Sequence, residues 1–225
     1  MGTDGWTFHV QETHGWIVVP RAGALPPGAL AAWESTASDV IAEAFDDGVV
    51  HDDVAPSSAA GAAAAEQHDA VIADLRRQAA TASVANLRAF ADGVAEAGAV
   101  VAATYRVPGT TPAPVLVVVG VEPPGDPGDD LMEALGATGG TAIAPPRIEH
   151  LDLPDGDGMR VTRLDLDPAT GAARISICLG RRTEHPDAVV DTVIQWRSQE
   201  LLYAPAMTEL LDDLLPAVRI TRSAE

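Results

Sequence analysis

Two neighbouring segments, ARISICLG (173–180) and VVDTVIQWR (189–197), decide the architecture. In the first, Ile175, Ile177 and Leu179 alternate with Arg174, Ser176 and Cys178. In the second, Val190, Thr192, Ile194 and Trp196 alternate with Val189, Asp191, Val193, Gln195 and Arg197. Successive side chains of a strand point to opposite faces, so each segment predicts a strand with one apolar and one mixed face. Such a pattern suits an antiparallel sheet whose helices lie mainly on one side. The cover follows in the chain. Residues 204–218 carry Met207, Leu210, Leu211, Leu214 and Leu215 at helical spacing, a leucine stripe matched to the apolar face.

Upstream, 147–153 and 159–166 are β-prone, and PDGDG (154–158) and DPATG (167–171) supply tight reversals between the strands. PDGDG lacks the spaced ligands and distant glutamate of a calcium loop, so it reads as a turn. Residues 100–107 and 115–121 predict a hairpin across PGTTPAP, and the linker EPPGDPGDD (122–130) leads into a short helix at 131–135. WTFHV (6–10) and GWIVV (15–19) read as a further hairpin, closed by Pro20. Between these β-rich parts, Leu30, Trp33, Ala37, Val40, Ile41, Ala44 and Phe45 form one helical stripe, with Gly48 as its stop. Residues 51–61 read as a loop in which Ser57 or Ser58 caps a long alanine-rich helix over 62–97. Its expected buried stripe is Val71, Leu75, Ala79, Ala82, Phe90 and Val94, with a break near 81–83 and an end at Gly98. The whole predicts an α+β fold over 1–225: an antiparallel sheet of about six strands flanked by helices. A helical elaboration at about 27–97 precedes a sheet-rich part at about 98–220.

The last third resembles the Mog1/PsbP-like proteins of actinobacteria. The residues that carry the likeness are LDLPDGDGMRVTRLDLDPATGAARISICLG (151–180) and VVDTVIQWRSQELLYAPAMTELLDDLLPAVRI (189–220). Within them stand a Leu-Pro-x-Gly-x-x-x-Arg hairpin at 153–160, a strand ending in Trp196 and a final helix with acidic residues among leucines. The resemblance covers about 75 residues. It implies an antiparallel sheet sandwiched by helices and an accessory or binding role with no shared catalytic site. The alanine-rich segment 57–97 departs from that compact pattern.

Composition narrows the function classes. The 225 residues are 47% apolar and 21% charged, which excludes a wholly disordered chain. All 14 basic residues are arginine and the net charge is −19. The absence of lysine and the abundance of alanine suit a GC-rich, actinobacterial genome. The acidic excess repels phosphates, so neither nucleic acid nor an anionic membrane is an expected partner. No apolar run approaches the roughly 20 residues needed to span a bilayer. One cysteine, Cys178, precludes an internal disulfide, and the first 20 residues show no secretory pattern, so the expected compartment is the cytoplasm.

Arg160, Arg163, Arg174, Arg181, Arg182 and Arg197 fall on consecutive predicted strands. Guanidinium forks grip carboxylates in paired hydrogen bonds, so Arg163, Arg174 and Arg197 are the candidates for holding an acidic partner segment on the mixed face. Trp6 and Trp16 are candidate partner anchors, with burial against the first helix as the alternative reading. A different class of function would use His51, Asp52 and Asp53 with Glu66, His68 and Asp69 as a metal or acid–base cluster; His51, Asp52, His68 and Asp69 are its ligand candidates. No HExxH, CxxC, G-x-S-x-G or phosphate-binding glycine loop occurs, and Cys178 lacks an adjacent histidine. No metal site, catalytic set or cofactor is therefore expected. The expected function is a non-catalytic cytoplasmic binding or accessory protein that engages a protein partner or itself as a homodimer. The alternative is a small-molecule-binding protein or enzyme centred on His51 and His68.

Overall fold

The computed structural model describes residues 5–11, 13–47, 59–107, 110–124, 130–139, 142–153, 156–167 and 169–222. The strands are β1 (Trp6–Val10), β2 (Trp16–Val19), β3 (Val100–Thr104), β4 (Ala113–Glu122), β5 (Arg147–Leu153), β6 (Gly156–Leu166), β7 (Ala173–His185), β8 (Ala188–Ser198) and β9 (Val218–Arg222). The helices are α1 (Pro27–Asp47), α2 (Ala59–Gly93), α3 (Asp130–Ala134) and α4 (Ala204–Leu214). Seven strands make one antiparallel sheet in the order β2-β3-β4-β8-β7-β6-β5, one strand more than the sequence suggests. The fold is α+β, with the sheet flanked by helices. The β2–β4 half and the β5–β8 meander join where β4 pairs with β8, from Leu116↔Gln195 to Glu122↔Val189.

The alternation in β7 and β8 holds along both strands. Ile177, Leu179, Ile194 and Trp196 are buried with Val115 and Val117 of β4 against Met207, Leu210, Leu211 and Leu214 of α4. The leucine stripe thus roofs the apolar face. The helix stops earlier than expected, however. Pro216 cannot donate to the carbonyl of residue 212, so Leu215–Ala217 tightens into a 3-10 turn and the chain leaves as β9. Arg181 is buried on this same face, where its Nη2 donates to the Val218 carbonyl at 3.0 Å and ties β7 to the start of β9.

That strand corrects the first hairpin. β1 pairs with β9, Trp6 opposite Arg222 and Val10 opposite Val218, while β2 pairs with β3, Trp16 opposite Thr104. Alternation says which face a residue occupies but not which distant strand it pairs with. Between the two strands Gly15 lies at φ +88°, a left-handed conformation that glycine adopts without strain, and the Arg106 side chain lies where a Cβ would project.

On the opposite side of the sheet, α1 and α2 cover β2 and β3. Ile41 and Ala37 of α1 meet Ala80, Val84, Leu87 and Ala91 of α2 over Val19, Val101 and Ala103. The buried stripe of α2 is therefore not the expected one: Val71 is 52% exposed, Leu75 55% and Phe90 38%, and Ala79 and Ala82 are exposed too. Alanine appears on every side of this helix, so periodicity alone leaves the buried side open. Close contact with α1 and the sheet selects the side where Ala80 and Ala91 face in. The helix also runs unbroken through 81–83, where the hydroxyl of the buried Ser83 donates to the Ala79 carbonyl at 2.9 Å. The expected stop at Gly48 and caps at Ser57 or Ser58 lie outside the described residues.

The corrected stripe has a thermodynamic consequence. Leu87→Ala should lower the unfolding free energy by about 2–4 kcal/mol, because it opens a cavity between α1, α2 and the sheet. Leu75→Ala should change it by no more than about 0.5 kcal/mol. Urea unfolding of both variants decides between the two stripes, and equal losses would restore the periodicity reading.

Candidate functional site

The mixed face of the sheet carries a recess of about 320 Å³ beside α3. Its floor comes from three adjacent strands. Arg163 of β6, Ser176 of β7 and Arg197 of β8 stand directly opposite one another, and the next row sets Asp165 against Arg174. A third row brings Val161, Cys178 and Gln195 together. Glu133, Ala134, Leu135 and Gly136 form the wall. Helix α3 lies this close because Gly180 leaves room for it: a Cβ at Gly180 would be 2.9 Å from both Leu135 methyl carbons. Leu135 in turn packs on Val161 and Cys178.

The three candidate arginines are brought together here, and they are not equivalent. Arg163 is the most enclosed, its side chain 11% exposed; Nε donates to Asp165 at 2.8 Å and Nη1 to the Gly136 carbonyl at 3.0 Å. It is engaged in holding α3 to β6. Arg174 is 34% exposed and reaches only Asp167, at 3.9 Å. Arg197 is exposed and makes no hydrogen bond or ion pair among the described residues. Between them the hydroxyl of Ser176, a residue 8% exposed, opens onto the recess. At the far end of the floor, Gln195 donates to the Cys178 sulfur at 3.4 Å. Burial pushes the Cys178 thiol up, so it stays protonated at neutral pH.

The other arginines do different work. Arg182 forks onto Asp191 across β7 and β8 at 2.7 and 2.6 Å. Arg160 and Arg181 face the α4 side, so of the six arginines on consecutive strands only some share the mixed face. Arg160 is a strut: it donates to Glu149 of β5 at 3.1 Å and to both oxygens of Asp212 on α4 at 2.7 and 2.6 Å. The Arg160 hydrogen bond holds the Glu149 carboxyl below its usual range, more than burial raises it. Asp167 is lowered as well, chiefly because the Thr170 and Ala169 N–H groups donate to it in the DPATG turn.

Trp16 is 6% exposed in the α4-side core, so it is a packing residue and not a surface anchor. Trp6 is half-buried on the ribbon, its ring 4.6 Å from that of His185 with Arg222 over its face at 5.7 Å; Arg222 also pairs with Asp187. His51, Asp52 and Asp53 lie outside the described residues, while Glu66, His68 and Asp69 are exposed along α2. No group of three or more His, Cys, Asp or Glu able to hold a metal is present among the described residues. No helix among them is long and apolar enough to cross a membrane.

A larger recess of about 660 Å³ lies where the ends of β2, β3 and β4 meet the end of α2. Its lining is valine, alanine and glycine with Phe8 and Pro20, and Arg21 is its one charged group among the described residues. The smaller recess is the candidate site, because polar groups converge in it from several elements. Ser176 and Gln195 were legible as members of it, since they share a strand face with Arg174 and Arg197. Glu133 and Gly136 were not, because nothing in the linker before α3 says where that helix docks. No protein-family model matches the chain, and no curated protein matches it.

Two measurements follow. Glu149 has a folded pKa below its unfolded one, so its stabilisation is present above the ordinary carboxylate range and is lost as pH falls through the folded value. Glu149→Gln should therefore destabilise at pH near 7, and its deficit should shrink as the pH falls below the ordinary carboxylate range and wild-type Glu149 takes up its proton. A deficit unchanged with pH would show that the Arg160 contact is not electrostatic. Separately, a disulfide reagent should label Cys178 in the native protein at least about a hundredfold more slowly than in the denatured protein, since only rare opening exposes the thiolate.

Proposed function

We propose that this chain is a non-catalytic binding or accessory protein that engages an acidic segment of a protein partner, or of a second copy of itself, through the mixed face of its sheet. One observation carries the reading: in a chain of net charge −19, three arginines surround one recess, and two of them, Arg174 and Arg197, keep most of their donors available. Carboxylates are the natural complement of guanidinium forks. A buried, protonated thiol and a recess whose lining Asp165 is already engaged by Arg163 support holding over turnover. The likeness of 151–220 to Mog1/PsbP-like proteins of actinobacteria supports an accessory role. The free thiol suits a reducing cytoplasm.

Affinity capture from source cells with the wild-type chain and with the Arg174→Glu, Arg197→Glu double variant tests the proposal. The wild type should enrich its partner, or itself as a dimer in sedimentation, at least about tenfold over the variant, because reversing two charges turns attraction into repulsion. Equal recovery by both, or no partner and a monomeric wild type, rejects it.

A further inference from the structure

We infer that the recess between α3 and the mixed sheet face is a binding site for one monoanionic carboxylate carried on a small apolar body; the inference rests on reading that face as the binding face. The geometry starts from Ser176. Neighbouring strands are about 5 Å apart and residues two apart along a strand about 7 Å, so Arg163, Arg197 and Arg174 stand on three sides of this one buried serine. Three guanidinium groups this close repel one another unless anions lie between them. Asp165 answers only Arg163. Asp167 stands 3.9 Å from Arg174, beyond hydrogen-bond reach, and its carboxylate already accepts two backbone N–H groups. Arg197 has no anion among the described residues. One carboxylate above Ser176 accepts from the Arg197 fork on one side and from Arg174 on the other, with the hydroxyl as a third donor from below.

The same surroundings set the charge and shape of the ligand. Asp165 and Glu133 also line the recess, and they oppose a second negative charge, so a phosphate dianion is disfavoured against a carboxylate. Leu135 and Ala134 supply an apolar side next to the donors. A volume of about 320 Å³ lies at the lower end of small-ligand pockets and admits the acid group with a body the size of a benzene ring or a leucine side chain. A free organic acid and the carboxyl terminus of a peptide ending in an apolar residue both present this chemistry.

Benzoate, benzamide, inorganic phosphate, and the peptide acetyl-Gly-Gly-Leu as free acid and as amide are titrated against the nitrogen-15-labelled full chain at matched ionic strength. Benzoate or the peptide acid should shift the backbone amides of Ser176 and Arg197 saturably, and the two amides and phosphate should not. The tighter of the two acids identifies the source as a free organic acid or a chain terminus. Arg197→Gln and Arg174→Gln should each weaken binding about tenfold or more, Arg197→Lys should fall between, and Arg21→Gln in the distant recess should leave it unchanged. No saturable shift by either acid up to about 20 mM, amides binding as well as acids, or phosphate binding alone would overturn the assignment. If that happens while the Arg174→Glu, Arg197→Glu chain still loses its captured partner, the binding face stands and only the ligand class falls. If neither effect is seen, both fall.

Discussion

Everything else in this molecule depends on the burial of the α4 leucine stripe against the apolar face of β4, β7 and β8. Met207, Leu211 and Leu214 are fully buried there against Ile177, Leu179 and Ile194. Each is worth about 1.5–3 kcal/mol relative to exposure, large beside a net stability of about 5–15 kcal/mol for a domain. Because a strand has a period of two, committing this face to α4 commits the other to α1, α2, α3 and solvent. Arg174, Ser176 and Arg197 reach the opposite side for the same reason that Ile175, Ile177 and Trp196 reach this one. A slip of one residue in β7 would bury two arginines under the leucines and expose the isoleucines. The arginine face is thus kept in place by the hydrophobic one.

The electrostatics follow the same division. Arginines that serve the fold have their carboxylates in hand: Arg160 braces β5, β6 and α4 through Glu149 and Asp212, Arg182 clips Asp191 across two strands, and Arg88 pairs with Glu34 between α1 and α2 at 2.6 Å. Arg174 and Arg197 do not fit this pattern. A guanidinium on a stable sheet, without a close partner and next to a buried hydroxyl, does little for the fold at neutral pH. Its use lies in what it can bind. Arg163 stands between the two groups, since its bonds to Asp165 and to the Gly136 carbonyl both shape the recess wall and leave little of the side chain open to a ligand.

How much of this was legible depended on the range of the interaction. The β3–β4 hairpin, the β5–β8 meander, the faces of β7 and β8 and the roofing by α4 all follow from spacings of two, three or four residues and from short turns, such as DPATG with Asp167 capping the N–H groups of Ala169 and Thr170. The misreadings are non-local. Residues 6–10 and 15–19 looked like a hairpin because they are near in the chain, yet β1 found β9 more than 200 residues away, through contacts such as Thr7 Oγ1 with Thr221 Oγ1. Val71 and Leu75 looked buried because they are large and correctly spaced. The smaller Ala80 and Ala91 face inward because they allow α2 to pack closely.

By itself, the sequence determined the two-faced strands, the leucine helix that covers one face and the presence of arginines on the other, because side-chain period and turn chemistry are local properties of the chain. Only the tertiary structure decided that β4 joins β8, that β1 belongs with β9, and that α3 lies over Gly180 to turn a flat arginine-bearing face into a recess. Those outcomes depend on which surfaces are complementary once the strands are in register, and no spacing along the chain encodes that.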